Sequence, residues 1–273
     1  MNEIVIEAGR SERQYWRDLW KYRELFLFLA WRDLLVRYKQ TVVGVAWSII
    51  RPLLTMLVLT VVFGYLGKMP RGAVAHYPLI VFTGMLPWQF FANALTESGN
   101  SLVANSNLIS KVYFPRLVVP ASSIITGLVD LLISAGFLIV LMAWYHFVPP
   151  ASFALLPFFM LLAFATSFGA GLWIAALMVE YRDFRFIVPF VVQFGLYISP
   201  VGFLSSVVPT EYRLLYSMNP IVGTIDGFRW CVLGPEYPIY WPALTISLVG
   251  VSLLITTGIW YFRRTERTFA DVI

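Results

Sequence analysis

Charge is scarce in this chain: 13% of its 273 residues are Asp, Glu, Lys or Arg, against 59% apolar. A soluble domain carries about 25% charged and 45–50% apolar residues. A water-soluble globule is therefore excluded, and an integral membrane protein is indicated. Cysteine is almost missing. Cys231 stands alone, which rules out an intrachain disulfide and any multi-cysteine metal cluster. The two histidines, His76 and His146, lie singly near the ends of apolar runs and form no metal-ligand spacing. There is no G-x-x-x-x-G-K-S/T phosphate loop, so the chain is not expected to hold ATP in the usual way. The H-E-x-x-H and G-x-S-x-G patterns are missing too. So are paired carboxylates in a shared apolar setting, the arrangement that acid–base chemistry uses. Residues 1 to 24 carry Glu3, Glu7, Glu12, Asp18 and Glu24 and no apolar run, so a cleavable signal is not expected.

What is present is a series of long apolar runs. Six reach spanning length: Thr41–Leu66, Tyr77–Thr96, Val118–Tyr145, Ser152–Met178, Phe186–Gly202 and Trp241–Phe262. A hydrocarbon core of ~30 Å needs about 20 helical residues, and the fifth run is at the lower limit. The runs are continuously apolar, so they predict helices and not the alternating strands of a barrel. The net charge of +5 is distributed unevenly. With the N-terminus inside, fifteen of the twenty Lys and Arg residues fall in cytoplasmic segments, four fall outside, and Arg51 lies within the first run. That bias predicts both termini in the cytoplasm, and it assigns the basic excess to membrane orientation and not to nucleic acid.

Two stretches fit neither span nor ordinary loop. Tyr15 to Gln40 interleaves aromatic and aliphatic residues with charges, and it reads as an amphipathic helix lying in the cytoplasmic interface. A helix packed on a partner is the alternative. "FLSSVVPTEYRLLYSMNPIVGTIDGFRWCVLGPEYPIY", between the fifth and sixth runs, is too apolar for a loop and too broken by proline and glycine to span. Such backbone enters a membrane only where it is buried in protein or lines a cavity. It predicts two short re-entrant helices acting as an outer gate. No internal repeat occurs. The expected organisation is a cytoplasmic N-terminus with the interface helix (1–40), a six-helix membrane domain (41–262) and a cytoplasmic tail (263–273).

The stretch "NSNLISKVYFPRLVVP", Asn105 to Pro120, interrupts two apolar runs on the cytoplasmic side. Tyr113 and Phe114 between Lys111 and Arg116 suit a docking surface, since interfaces are enriched in aromatics and arginine. An interfacial turn with belt aromatics fits equally. Arg51 and Asp130 are ionisable residues at depth, about 15 Å and about 18 Å past the cytoplasmic starts of their runs. Such residues are functional candidates by default. Three readings of Arg51 stand: pairing with Asp130, binding a substrate phosphate, or snorkelling to the interface.

"NSNLISKVYFPRLVVP" resembles the coupling helix of the transmembrane subunits of ABC type-2 exporters, most closely the polysaccharide-export branch of capsule, O-antigen and teichoic-acid permeases. "RYKQTVVGVAWSIIRPLLTMLVLTVVFG", "EYRDFRFIVPFVVQFGLYISPVGF" and "LLYSMNPIVGTIDGFRWCVLG" resemble that family's first helix, second cytoplasmic loop with fifth helix, and outer gate region. The resemblance runs in order from about Trp31 to the C-terminus. It implies an all-α membrane fold with six transmembrane helices, the interface helix and re-entrant gate helices. It implies a bacterial inner-membrane permease without catalytic residues or metal. Two copies would work with two separate ATPase subunits that carry ATP and Mg, moving a lipid-linked glycan. By the same resemblance Lys111, Val112, Tyr113, Phe114, Pro115 and Arg116 would contact the ATPase, with a smaller contact at Glu180, Arg182 and Asp183. A channel between the copies would draw on Trp47, Phe63, Trp88, Phe90, Phe91 and Tyr197, because sugar C–H faces pack on aromatic rings. Arg37, Lys39, Arg51 and Asp130 are candidates for the channel or a lipid headgroup. Pro209, Asn219, Pro220, Gly223 and Arg229 belong to the implied outer gate. A type-2 exporter of a drug or haem, or a membrane enzyme acting on lipid-linked sugars, are the rival readings.

Overall fold

The computed structural model describes residues 12–39, 46–66 and 77–269. Among these every regular element is helical. Two helices, α1 (Glu12–Lys21) and α2 (Arg23–Lys39), precede the first span. That span is α3 (Ala46–Leu59), which continues as a π-helical stretch over Thr60–Leu66. Its expected first residues, 41–45, lie outside the described residues. Next come α4 (Tyr77–Ala104), the short α5 (Ser106–Lys111) and α6 (Val118–Trp144). A 3-10 turn (Ala151–Leu155) leads into α7 (Leu156–Glu180), followed by α8 (Phe184–Ile198). The chain ends with α9 (Thr210–Tyr216), α10 (Pro220–Leu233) and α11 (Trp241–Thr265).

Five helices are long and apolar enough to cross a membrane: those of Ala46–Gly64, Tyr77–Ala104, Val118–Trp144, Ala151–Glu180 and Trp241–Thr265. The expected fifth span, Phe186–Gly202, is the exception. Its helix α8 has 15 residues, about 22 Å at 1.5 Å per residue and short of the ~30 Å core. The cause is local. The residue before a proline is pushed out of the helical region, and Ser199, ahead of Pro200, is extended at φ −77 and ψ 152.

Helix α4 is the central element. In its apolar window 78% of residues are buried, against 22–39% in the other four spans. It packs on α3, α6, α7, α8 and α10. The main core joins α3, α4, α6, α7, α10 and α11 through residues such as Leu79, Phe82, Ile124, Leu138, Phe159, Ile225 and Phe228. A second cluster closes the other end of the bundle. There Leu29 of α2 meets Leu102, Ile109, Phe114, Leu117, Phe262 and Phe269.

The N-terminal region departs from a single amphipathic helix. It turns at Tyr22, and α2 packs along α6. Its exposed side carries Leu27, Phe28, Trp31 and Leu35, the face that an interfacial helix turns to lipid. The segment between α8 and α11 forms two short helices as expected, but they differ in burial. Tyr212, Leu214 and Leu215 of α9 are exposed, whereas Ile221, Val222, Ile225, Phe228, Cys231 and Val232 of α10 are buried. Cys231 is 0% exposed, so this thiol is enclosed by the bundle and is no surface label site.

Candidate functional site

Asp130 is the hub of the site. It lies on α6, one turn after the close-packed Gly127, whose Cα faces the Phe90 ring of α4. Its Oδ2 accepts a hydrogen bond from Arg37 Nη1 at 2.7 Å. Its Oδ1 accepts from Ser48 Oγ at 2.6 Å and from the Tyr38 hydroxyl. The other arm of Arg37, Nη2, donates to Glu97 Oε1 of α4 at 2.8 Å. Ser134, one turn beyond Asp130, donates to the Ser48 carbonyl at 3.0 Å. One guanidinium thus joins the end of α2 to α4 and α6, and one carboxylate joins α6 to α2 and α3.

The Asp130 partner is therefore Arg37 and not Arg51. The reason is helical phase. Ser48 points at Asp130, and Arg51, three residues on, is rotated by about 60° from it. Arg51 is exposed, with its guanidinium 5.9 Å from the centre of the Trp47 ring. Both residues still line the same space. A cavity of about 240 Å³ is bounded by Arg37, Trp47, Arg51, Gln89, Phe90, Asn93 and Glu97 together with Asp130. It adjoins a polar trough of about 490 Å³ through Arg37 and Glu97, which line both. Lys39, at the end of α2, is exposed.

Sequence reasoning passed over the polar wall of this cavity. Gln89, Asn93, Glu97 and Asn100 recur at helical spacing on α4. Residues four apart share a helix face, so this stripe was a legible signal. Gln89 Nε2 donates to Asn93 Oδ1 at 3.1 Å, which shows the stripe folded onto itself. Tyr38 and Ser48 carried no such pattern, and only the packing of α2 and α3 on α6 exposes their role.

The expected aromatics divide. Trp47 is 48% and Tyr197 59% exposed, while Trp88 and Phe90 are 5% and 3%. Trp88 packs its ring edge on Gly195 of α8, where a Cβ would collide with it. Phe63 lies against Gly202, and Phe91 sits 5.8 Å from Trp88, centre to centre. Trp88 and Phe90 are thus packing residues of this bundle, and Phe90 meets only the internal cavity.

The docking candidates divide as well. Lys111, Val112 and Tyr113 are exposed, whereas Phe114 is 4% exposed and Pro115 is buried. The expectation that Phe114 lies open is corrected. It anchors the segment in the cluster with Leu29, Ile109 and Leu117, because an aromatic beside an unfilled apolar cluster gains more by entering it. Arg116 donates to the Glu266 carbonyl. The Glu266 carboxylate accepts from the Tyr15 hydroxyl at 3.0 Å, and Arg263 lies 4.3 Å from the Tyr15 ring centre. Burial raises the Glu266 pKa to about 7, against the opposing pull of the Tyr15 hydrogen bond and of Arg263, Arg116 and Arg267. In the second loop Glu180 is exposed and accepts from the Tyr261 hydroxyl at 2.7 Å. Arg182 and Asp183 are exposed.

At the other end, Pro209 precedes α9, and Asn219 caps α10 by accepting from the Ile221 amide at 3.3 Å. Pro220 takes the first helical position, where its missing N–H costs nothing. Gly223 donates its N–H to Ser247 Oγ at 3.1 Å, and Gly227 lies against the Phe159 ring, where no Cβ fits. Arg229 is wholly enclosed. It donates to the carbonyls of Val201 (2.7 Å), Phe203 (2.9 Å) and Ile80 (3.3 Å), with Asp226 at 4.0 Å. It is a fastener of α10 to the turn after α8 and to α4.

Comparison with known proteins agrees with this architecture. Residues 24–233 match the model of the family described as "ABC-2 type transporter". The chain belongs to that family. This ABC-2 chain is 28% identical over 260 residues to the O-antigen export system permease protein RfbA of Myxococcus xanthus, covering 94% of this chain and 98% of that one. It is 26% identical over 257 residues to the RfbA of Klebsiella pneumoniae, with 92% and 95% coverage. It is 25% identical over 216 residues to the polysialic acid transport protein KpsM of Escherichia coli, with 77% and 81% coverage. It is a multi-pass membrane permease subunit.

Proposed function

We propose that this ABC-2 chain is the permease subunit of an ATP-driven exporter of lipid-linked polysaccharide in the bacterial inner membrane. Both termini face the cytoplasm, two copies form the channel, and two separate ATPase subunits bind ATP and Mg. The observation that carries the reading is the split within residues 111–116. Phe114 roots the segment in the bundle, and Lys111, Val112 and Tyr113 stand out from it as a supported knob. A knob of this kind passes force from a docked subunit into the helices behind it. The full-length similarity to O-antigen permeases supports glycan as the cargo.

Single substitutions test it. Tyr113→Ala is expected to weaken co-purification with the partner ATPase subunit while leaving the permease stable. Truncating a buried interface aromatic commonly costs about 2 kcal/mol or more. Phe114→Ala is expected to destabilise the permease itself, by about 3–5 kcal/mol. Normal assembly and export in Tyr113→Ala would refute the docking role. ATP hydrolysis by the permease freed of every other subunit would refute the division of labour.

A further inference from the structure

Helix α2 reaches the buried root of the knob and the cavity at once. Towards its middle, Leu29 is buried with Ile109, Phe114 and Leu117, which brace the 106–117 segment. Arg32 Nη2 donates to Asn105 Oδ1 at 2.9 Å, at the junction of α4 and α5. At its end, Arg37 joins Asp130 and Glu97, and Tyr38 joins Asp130. Leu29 and Arg37 are eight residues apart, about 12 Å of rigid helix. The polar trough runs between these ends, lined by Arg32, Asp33, Arg37, Glu97 and Asn105 among others.

The two ends are held differently. The Leu29 end is an apolar packing contact, which keeps α2 and the knob moving together. The Arg37 end is a set of hydrogen bonds facing open, polar space. Glu97 has 52% of its side chain exposed, so water can replace Arg37 there at small cost, and at Asp130, 17% exposed, the Tyr38 and Ser48 hydroxyls remain as donors. We propose that α2 is a lever. Displacement of the 106–117 segment is carried by α2 to Arg37, whose contacts with Asp130 and Glu97 are a releasable bolt across the cavity that narrows it. The proposal rests on the reading that the ATPase docks at residues 111–116. Arginine is needed at 37 because its two Nη atoms reach carboxylates on two different helices, which one ammonium cannot span. Arg37 is a positioning residue and touches no reacting group.

The test is thiol accessibility in the assembled complex. Asn93→Cys places a probe on the cavity wall, with Cys231→Ala removing the buried thiol. The complex with its ATPase subunits is placed in phospholipid vesicles, and labelling by a membrane-permeant maleimide is timed with and without ATP. The bolted parent is expected to label slowly without ATP and severalfold faster during turnover. Adding Arg37→Gln is expected to give fast labelling that ATP no longer changes. Adding Arg37→Lys should give an intermediate rate. Breaking the other end with Leu29→Ala and Arg32→Ala should give slow labelling that ATP no longer changes. A purely structural role for Arg37 would lower the yield of complex without these opposite signatures. Labelling of the parent that ignores ATP while its ATPase subunits turn over overturns the lever. Retention of the parental ATP response in Arg37→Gln overturns the bolt. The docking reading is judged separately, by whether Tyr113→Ala loses the ATPase.

Discussion

Arg229 and Arg37 are two guanidinium groups held within the helix bundle by opposite means. Arg229 has 2% of its side chain exposed and is held by three main-chain carbonyls from two separate segments. Arg37 has 27% exposed and is held by two carboxylates across a cavity. Carbonyls cannot leave without unfolding the backbone that presents them. Carboxylates on side chains can turn away and take water. Helix α10 is therefore fastened, whereas α9 beside it is exposed. The C-terminal end of α2, at Arg37, is the place built to let go.

The largest expected effect breaks the fastener. Arg229→Met leaves three carbonyls without their donor and Asp226 without its neighbouring positive charge. A buried charge pair broken on one side costs about 3–5 kcal/mol, and thermal aggregation of the detergent-solubilised permease should report it. Arg229→Lys should recover little, since one ammonium does not reach Ile80, Val201 and Phe203 together. If Arg229→Lys is as stable as the parent, the fastener is a generic positive charge and the contrast fails.

Next in size is the bolt. Arg37→Gln and Asp130→Asn should each cost less than the loss at Arg229, and their effects should not add. Residues in contact show interaction energies of about 0.5–3 kcal/mol in double-mutant cycles. Strictly additive losses would remove the pairing from the argument for a coupled site. Arg51 sharpens the same comparison, because it lines the cavity yet is paired with no carboxylate among the described residues. Arg51→Ala should leave stability within about 0.5 kcal/mol. Loss of export at unchanged stability would then assign Arg51 to the substrate phosphate, and unchanged export would assign it to snorkelling.

The smallest effect concerns pH at Glu266. Glu266 is protonated more readily in the folded chain, where burial raises its pKa from 4.5 to about 7. The neutral, buried Glu266 carboxyl therefore favours the folded packing around it fully below pH 4.5, and that contribution is lost as pH rises through 7, when a charge must be buried. Protease susceptibility of the α1 region should rise modestly between pH 5 and 8, and Glu266→Gln should flatten that dependence. A rise of equal size in Glu266→Gln would assign the effect to another group.

Much of this was legible in the sequence. The shortage of charge dictates a membrane protein, and the lengths of apolar runs dictate where helices cross, because hydropathy is a sum along the chain. Ser199–Pro200 carried the early end of α8, although the apolar run seemed to continue past it. Asn219–Pro220 marked the start of α10, and the stripe Gln89, Asn93, Glu97, Asn100 marked the wet face of α4. Other features depended on which helix lies opposite. Tyr113 and Phe114 are adjacent and chemically alike, yet one is exposed and the other enters a cluster built from α2, α4 and α11. Depth put Arg51 forward as the partner of Asp130, and the rotation of α3 and the approach of α2 gave that place to Arg37. Each residue turns the side chain by about 100° around the helix. The sequence determines the face a residue occupies relative to its own helix, and only the packing of helices decides what that face meets.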